Sequence, residues 1–345
     1  MKNKIPTHIL PVIVFAQFVG TSLWFAGNAV VDSLINELSL PEMFLGYIMT
    51  AVQAGFILGT LVFAIFNVAD RFSPVKVFLF CALGGASLNL IIIILDTAIP
   101  ILTARFATGF FLAGIYPVGM KIASDWHQKS LGKALGYLVG ALVIGTAFPH
   151  LLKFLGSEYP WRFVFMGTSV IAAFGGILLF LTVQDGPYRA VSKGLKLDYK
   201  IIFKLFKNKN FKSASFGYFG HMWELYTFWA FIPIMLGYYL KNHSEINLSI
   251  PLWSFIIIGI GGISCAIGGY LSLQKGSKWV SIVSLYGSGI CCLLISFSFA
   301  LPVFAFLSIL LIWGFFVIPD SPQFSALVAM SSEDSLVATG LTIVN

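Results

Sequence analysis

Asn67-Val68-Ala69-Asp70-Arg71-Phe72-Ser73-Pro74-Val75-Lys76 is a charged, proline-containing stretch that separates two apolar runs, 44–67 and 75–95. A helix rising about 1.5 Å per residue needs about 20 apolar residues to cross the hydrocarbon of a bilayer, and each run has that length. Two apolar helices joined by a short polar loop are therefore the unit to look for on either side. Working outward, the unit recurs. Apolar runs cover 9–31, 44–67, 75–95, 99–120, 131–152, 161–183, 214–239, 251–273, 279–299 and 301–319. An eleventh starts near Leu336 and reaches Asn345 after too few residues to cross. Strands of a membrane barrel alternate polar and apolar residues and are far shorter, so the runs read as helices.

Composition agrees with this reading. Of 345 residues, 58% are hydrophobic and 10% charged, and the mean hydropathy is +0.91. Soluble domains carry about 25% charged residues, so this chain has too little polar surface to coat a globule in water. Soluble enzymes, disulfide scaffolds, disordered chains and nucleic-acid-binding modules are excluded together. Cys81, Cys265, Cys291 and Cys292 lie inside apolar runs, which suits small buried side chains and neither a metal site nor a disulfide framework. No phosphate-binding Gly-rich loop, His-Glu-x-x-His or nucleophile elbow occurs, so neither an enzyme nor a cofactor is expected.

Basic residues set the expected orientation. With the N-terminus inside, 17 of the 21 Lys and Arg fall on the inner face, Lys153, Arg162 and Lys241 fall outside, and Arg105 lies within a run. The expected location is the cytoplasmic (inner) membrane, with many crossings and a cytoplasmic N-terminus. The basic stretch 185–212 is expected to link an N-terminal six-helix bundle, 1–184, to an incomplete C-terminal bundle, 213–345. Within the stretch, Ile201, Ile202, Leu205 and Phe206 share one helical face opposite lysines, the pattern of a helix lying along the inner leaflet. A shift of about 200 residues lays Phe15-Ala-Gln-Phe18 on Phe216-Gly-Tyr-Phe219 and Gly114-Ile-Tyr-Pro117 on Gly314-Phe-Phe-Val317, an echo that suggests two parallel repeats. On that reading about 50 further residues would complete the second repeat.

Several polar side chains sit in runs where they are costly. Arg105 lies about 9 Å below the outer end of its run and must snorkel, pair or line water. Gly220-His221-Met222-Trp223-Glu224-Leu225-Tyr226 places His221 and Glu224 three apart on one face, with Glu224 near the bilayer midplane. Gln17, Asn28 and Gln53 are further buried amides, which either line a cavity or bond across a helix pair. Gly132, Gly136, Gly140 and Gly145 form a small-residue ladder for close helix packing.

The loop quoted at the start resembles the signature loop of the major facilitator superfamily, Gly-x-Leu-Ala-Asp-Arg-x-Gly-Arg-Lys. Asp70, Arg71 and the nearby Lys76 match it, while Phe66 and Ser73 stand at its glycines and Pro74 at a basic position. Arg105-Phe-Ala-Thr-Gly109 is similar to the fourth-span Arg-x-x-x-Gly motif of the same superfamily. Pro319-Asp320-Ser-Pro-Gln-Phe-Ser325, with Tyr116-Pro-Val-Gly-Met120 and the His-Met-Trp-Glu stretch, resembles a branch of bacterial permeases of unassigned substrate. The resemblance implies an all-α polytopic membrane protein of two pseudo-symmetric six-helix bundles, the second truncated. It also implies a secondary transporter that moves a small solute by alternating access around spans one, four, seven and ten. Asp70, Arg71 and Lys76 are then the gating loop, and Gln17, Asn28, Gln53, Tyr116, Trp223 and Tyr226 the substrate cavity. Glu224, helped by His221 and Arg105, is expected to carry a coupling proton, the alternatives being that Glu224 is a fixed partner of Arg105 and Arg105 a structural anchor. The expected partners are a small-molecule substrate, protons and lipid, with no nucleic acid, and the expected state is a monomer. A receptor or scaffold with the same fold, or an inactive fragment, is the rival reading.

Overall fold

Residues 6–127, 131–189, 199–332, Leu341 and Val344 are described by the computed structural model, and their regular elements are all helical. The first expected span, 9–31, holds α1 (Ile9–Thr21) and α2 (Ala26–Ala29) and ends where α3 (Val31–Leu38) begins. Then come α4 (Phe44–Ile65), the single turn α5 (Val68–Arg71) and α6 (Pro74–Ile91), which continues as a 3₁₀ turn, Ile92–Ile94. The fourth expected span is also divided, into α7 (Ala98–Leu112) and α8 (Tyr116–Trp126), followed by α9 (Leu131–Leu155) and α10 (Arg162–Thr182). Past the basic stretch lie α11 (Tyr199–Lys207), α12 (Lys209–Asn242), α13 (Ile250–Lys275), α14 (Ser277–Ser298) and a divided pair, α15 (Val303–Phe316) and α16 (Ser321–Met330).

Eight segments are long and apolar enough to cross a membrane: α4, α6 with its 3₁₀ turn, α7 with α8, α9, α10, α13, α14, and α15 with α16. The other two expected spans, 9–31 and 214–239, are helical but fall short for separate reasons. The apolar α1 stops after 13 residues. The 34-residue α12 is long enough, but His221, Glu224 and its many aromatic residues dilute its apolar character. The start of the eleventh lies outside the described residues except Leu341 and Val344, both helical.

Loop chemistry explains most boundaries. Ser73 caps α6 by accepting from the Lys76 backbone N–H, and Pro74 occupies the first turn, where its missing N–H costs nothing. Asn67 adopts φ 49°, a left-handed conformation that Asn tolerates, and so turns the chain from α4 into α5. Gly276 alone separates α13 from α14 at φ 85°, where a side chain would strain the backbone.

The chain divides into two compact units, 1–195 and 196–345, the boundary falling inside the basic stretch. In the first unit α4 and α7 pack backbone to backbone: a Cβ on Gly55 would land on the Phe106 carbonyl oxygen, and one on Gly109 on that of Val52. At one end of this unit Val30, Leu34, Phe44, Ile48, Ile92, Trp161 and Phe165 join in a buried apolar cluster. Beside it Arg162 bonds the Glu37 carboxylate at 2.5 Å and the Ile93 carbonyl at 3.0 Å and lies 4.4 Å from the Trp161 ring centroid. The Trp161 indole N–H donates to the other Glu37 oxygen at 2.8 Å. In the second unit a Cβ on Gly314 would land on the Ile257 carbonyl oxygen, so α15 and α13 are similarly close.

Both ends of the expected linker are held by structure. Asp185 accepts from the Ser73 hydroxyl at 2.8 Å and from Arg189 at 2.8 Å, and the Trp126 indole donates to the Gln184 carbonyl. On the far side, Leu205 of α11 is buried in a cluster with Phe211, Ala214, Tyr218, Phe324 and Val328. The apolar face of α11 therefore packs in part on its own unit, leaving Phe203 as its strongly exposed aromatic. The side chains of Ile201 and Ile202 lie outside the described residues.

Candidate functional site

Two polar constellations, one in each unit, form where a helix is interrupted. In the first unit Pro117 offers no N–H to the Ala113 carbonyl, so α7 stops and α8 starts anew at Tyr116. Tight turns bridge the gap, with Gly114 N–H bonding the Phe111 carbonyl and Ile115 N–H that of Leu112. Gly114 is needed here because a Cβ would collide with the Cys81 sulfur. The interruption between α1 and α2 has no proline. There the Thr21 and Ser22 hydroxyls bond back to the carbonyls of Gln17 and Val19, at 2.9 and 2.6 Å, and compete with the helix.

Arg105 fills the gap between these interruptions. Fully buried, it donates through Nη1 to the Leu23 carbonyl at 2.9 Å and to Asn89 Oδ1 at 3.0 Å, and through Nη2 to the Trp24 carbonyl. These carbonyls belong to the segment between α1 and α2. Asn89 is fixed in turn through its amide nitrogen, which donates to Ser169 at 2.9 Å, Thr168 at 3.1 Å and the Phe165 carbonyl at 3.3 Å. One guanidinium thus ties the break in the first span to α6 and, through Asn89, to α10. Among the described residues no carboxylate is paired with it.

The other first-unit candidates separate around this clamp. Gln53 accepts from the Trp24 indole at 3.0 Å, bonding across a helix pair. Gln17 and Asn28 are buried, and neither side-chain amide has a hydrogen-bond partner among the described residues. Gly119 makes room for Gln17, since a Cβ there would meet its amide oxygen. Tyr116, half-buried, is the first residue of α8. In the loop expected to act as a gate, Asp70 lies 3.7 Å from Lys121, which also bonds Asp125 at 2.6 Å. Arg71 and Lys76 are exposed. Sequence reasoning misses Asn89, Lys121, Asp125 and Asp185 as partners. The Lys121–Asp125 pair has helical i,i+4 spacing, which is a readable signal.

The second unit separates the two groups expected to act together. Although His221 and Glu224 are three apart on α12, His221 faces Asp320, with Nδ1 to Oδ1 3.0 Å, and both side chains are buried. The separation is that of an ion pair, but the approach lies off the hydrogen-bonding axis, so the contact is electrostatic. Glu224 turns the other way. It accepts from the Trp313 indole at 3.1 Å and the Ser288 hydroxyl at 3.2 Å, bridging α12, α15 and α14. Trp223, expected as a cavity wall, is 80% exposed and lies off the buried face of its helix. Tyr226 is half-buried with its ring 5.7 Å from that of Trp229. Asp320 is visible in the sequence as part of a proline-flanked tract, but the tract alone assigns it no role. Its partner is about 100 residues away, beyond the reach of helical spacing. The glycine ladder of α9 divides too: Gly145 meets the Phe18 carbonyl and Thr21, whereas Gly136 faces open space. Among the described residues no group of three or more His, Cys, Asp or Glu is placed to hold a metal.

An all-helical chain of membrane-spanning length, with buried charges at its helix interruptions, defines a polytopic membrane protein. The model of the Major Facilitator Superfamily matches residues 13–345, and the chain belongs to that family. It is a secondary transporter by family and not an enzyme. The fold is similar to a bacterial homolog of the human lysosomal transporter Spinster in an inward-facing, unoccupied conformation, at TM-score 0.74 and 16% identity, covering 100% of this chain and 79% of that one. It is also similar to a mutant form of the nucleoside transporter NupG, at TM-score 0.74 and 16% identity, covering 97% of this chain and 87% of that one. No curated protein matches.

Proposed function

We propose that the chain moves a small solute across the cytoplasmic membrane by alternating access, coupled to protons through ionisable groups that its seventh span carries or meets. The observation that carries this reading is that both units hold buried ionisable groups at helix interruptions, Arg105 in one and His221 with Asp320 in the other. Such groups are expensive in a membrane interior and are kept where they meet a substrate, an ion or water in some state of the cycle. Arg105 serves by fixing the bend of the first span, beside which Gln17 and Asn28 supply unsatisfied amides for a solute. Asp70, Arg71 and Lys76 gate the inner side, with Lys121 as the partner of Asp70. The protein acts as a monomer with its N-terminus inside.

The test is flux of a labelled compound panel into or out of liposomes carrying the full chain, with and without an imposed proton gradient. The panel includes nucleosides because one protein of similar fold transports them. Gradient-dependent flux of at least one compound is expected. If Glu224→Gln leaves that dependence unchanged, Glu224 has no part in coupling. The receptor or scaffold reading draws on the complete burial of Gln17 and Arg105. Absence of flux across the panel, with a well-folded protein, would favour it.

A further inference from the structure

We propose that the proton-binding site of this transporter is the buried pair His221–Asp320, with Glu224 serving to hold its helix in place. The proposal rests on the transporter reading above and names the site at which coupling occurs. Its first support is geometric. α15 ends at Phe316 and α16 begins at Ser321, with Pro319 and Pro322 on either side of Asp320. Asp320 stands at the N-cap position of α16, where such a side chain ordinarily caps the helix, yet it accepts no capping bond. The carboxylate instead faces His221 at 3.0 Å, side-chain exposures being 0% for His221 and 2% for Asp320. Neither ring nitrogen of His221 has a hydrogen-bond partner among the described residues, so no bond to a third group among them commits the ring to one protonation state.

The surroundings give the pair its chemistry. The rings of Tyr218 and Phe324 each lie 6.1 Å from the His221 ring. The Tyr218 phenol of α12 and the Cys265 thiol of α13 interact with Asp320, and Tyr218 in turn meets Tyr226 and bonds the Ser321 and Ser325 hydroxyls of α16. All are neutral near pH 7. Glu224, one turn along α12, is occupied by Trp313 and Ser288. Taken by itself, the pair has a net charge fixed by the number of protons on it. Without a proton it is −1, with one it is zero, and with two it is +1. Burial opposes a net charge of either sign. The pair therefore takes up one proton as a unit: neutral His221 and Asp320 carboxylate plus one proton give imidazolium and carboxylate, or the equivalent neutral imidazole and carboxylic acid. Release requires that water or a solute reach the pair and solvate the charge left behind, which is the linkage a coupled transporter needs. Glu224 lacks this property. Two donors already bond its carboxyl, and it is only half-buried.

The test is infrared difference titration of the protein in liposomes from about pH 5 to about pH 9, with ¹⁵N-histidine magic-angle NMR on the same samples. In the wild type, one coupled step is expected to change the carboxyl band and one histidine signal together. Asp320→Asn is expected to abolish the carboxyl change, and His221→Gln to displace it. If either variant fails to fold, the wild-type NMR decides alone: a histidine that titrates together with a carboxyl supports the pair. Histidines that all titrate independently of any carboxyl, with His221 silent, overturn it. Loss of the step in Glu224→Gln and its retention in Asp320→Asn would overturn it too, as would a response to sodium in place of protons. The two readings fail separately. A missing step with gradient-driven flux intact removes the pair and leaves the transporter. A clear step without flux of any compound removes the transporter reading.

Discussion

Arg105 makes its bonds with a planar fork, and this decides which substitutions it tolerates. Three acceptors, the carbonyls of Leu23 and Trp24 and the Asn89 side chain, are reached from one guanidinium. A lysine carries the same charge but presents a single ammonium that cannot span them. Arg105→Lys is therefore expected to destabilise the protein by at least about 1.5–3 kcal/mol, the range for losing a hydrogen bond to a charged group. Arg105→Ala is expected to cost more, because it strips the donors from all three acceptors. Thermal unfolding in detergent reads both, and equal melting temperatures for wild type and Lys variant would dismiss the clamp. Glu37 behaves in the opposite, solvent-facing manner. Its bond to Arg162, reinforced by the Trp161 indole, holds its carboxyl below the usual glutamate range. A depressed folded value stabilises the protein above the unfolded value and loses that contribution as pH falls through the folded one. Glu37→Gln should thus lower the melting temperature at neutral pH, and the difference from wild type should vanish under acid conditions below the glutamate range. A gap that persists there would mean Glu37 acts by packing alone. At this scale the sequence shows which residues are costly but not whom they meet. Depth and spacing single out Arg105, His221 and Glu224, whereas Asn89 and Asp320 become partners only through helix packing between distant segments.

Helices in this chain are interrupted as purposefully as they are formed. Pro117 and Pro322, 205 positions apart, each occupy the first turn of a helix that restarts after a gap, in α8 and in α16. The weak sequence echo between the two halves is thus matched by a shared structural device, and the two gaps are where Arg105 and Asp320 act. Close packing is subtler. The glycine spacing of α9 is as readable as that of α4 and α7, yet a Cβ on Gly55 would strike the Phe106 backbone while one on Gly136 would meet nothing. Periodicity records that a smooth helix face exists and says nothing about which neighbour lies against it. The pair makes a matched test. Gly55→Ala is expected to lower the melting temperature or abolish folding, because backbone must move. Gly136→Ala is expected to be neutral or stabilising by up to about 1 kcal/mol, the helix-propensity difference between the two residues. Similar losses for both variants would mean that the α4–α7 contact is looser than described.

At the scale of the molecule, the apolar runs reveal a polytopic helical protein because the bilayer demands length and hydropathy that few other folds need. What they cannot show is the division of the first, fourth and tenth apolar runs into separate helices, since a broken helix has the same composition as a straight one. Orientation is a separate matter, resting on the distribution of charge. The helix α6 begins beside the loop containing Asp70 and Arg71 and continues into the 3₁₀ turn that precedes Asp96, so its two ends lie about one bilayer thickness apart. If the basic end is inside, Lys76 and the stretch 185–212 face the cytoplasm, while Glu158, before α10, faces out. Both Lys76 and Glu158 are exposed, so single cysteines at these positions in a variant lacking Cys81, Cys265, Cys291 and Cys292 report the arrangement directly. A membrane-impermeant maleimide added to intact cells is expected to label Glu158→Cys and to spare Lys76→Cys until the membrane is opened. Reversed labelling would invert the whole scheme. It would place the lysines of α11 outside, away from the anionic inner leaflet that favours basic segments, and would put the Asp70–Lys121 contact on the outer side.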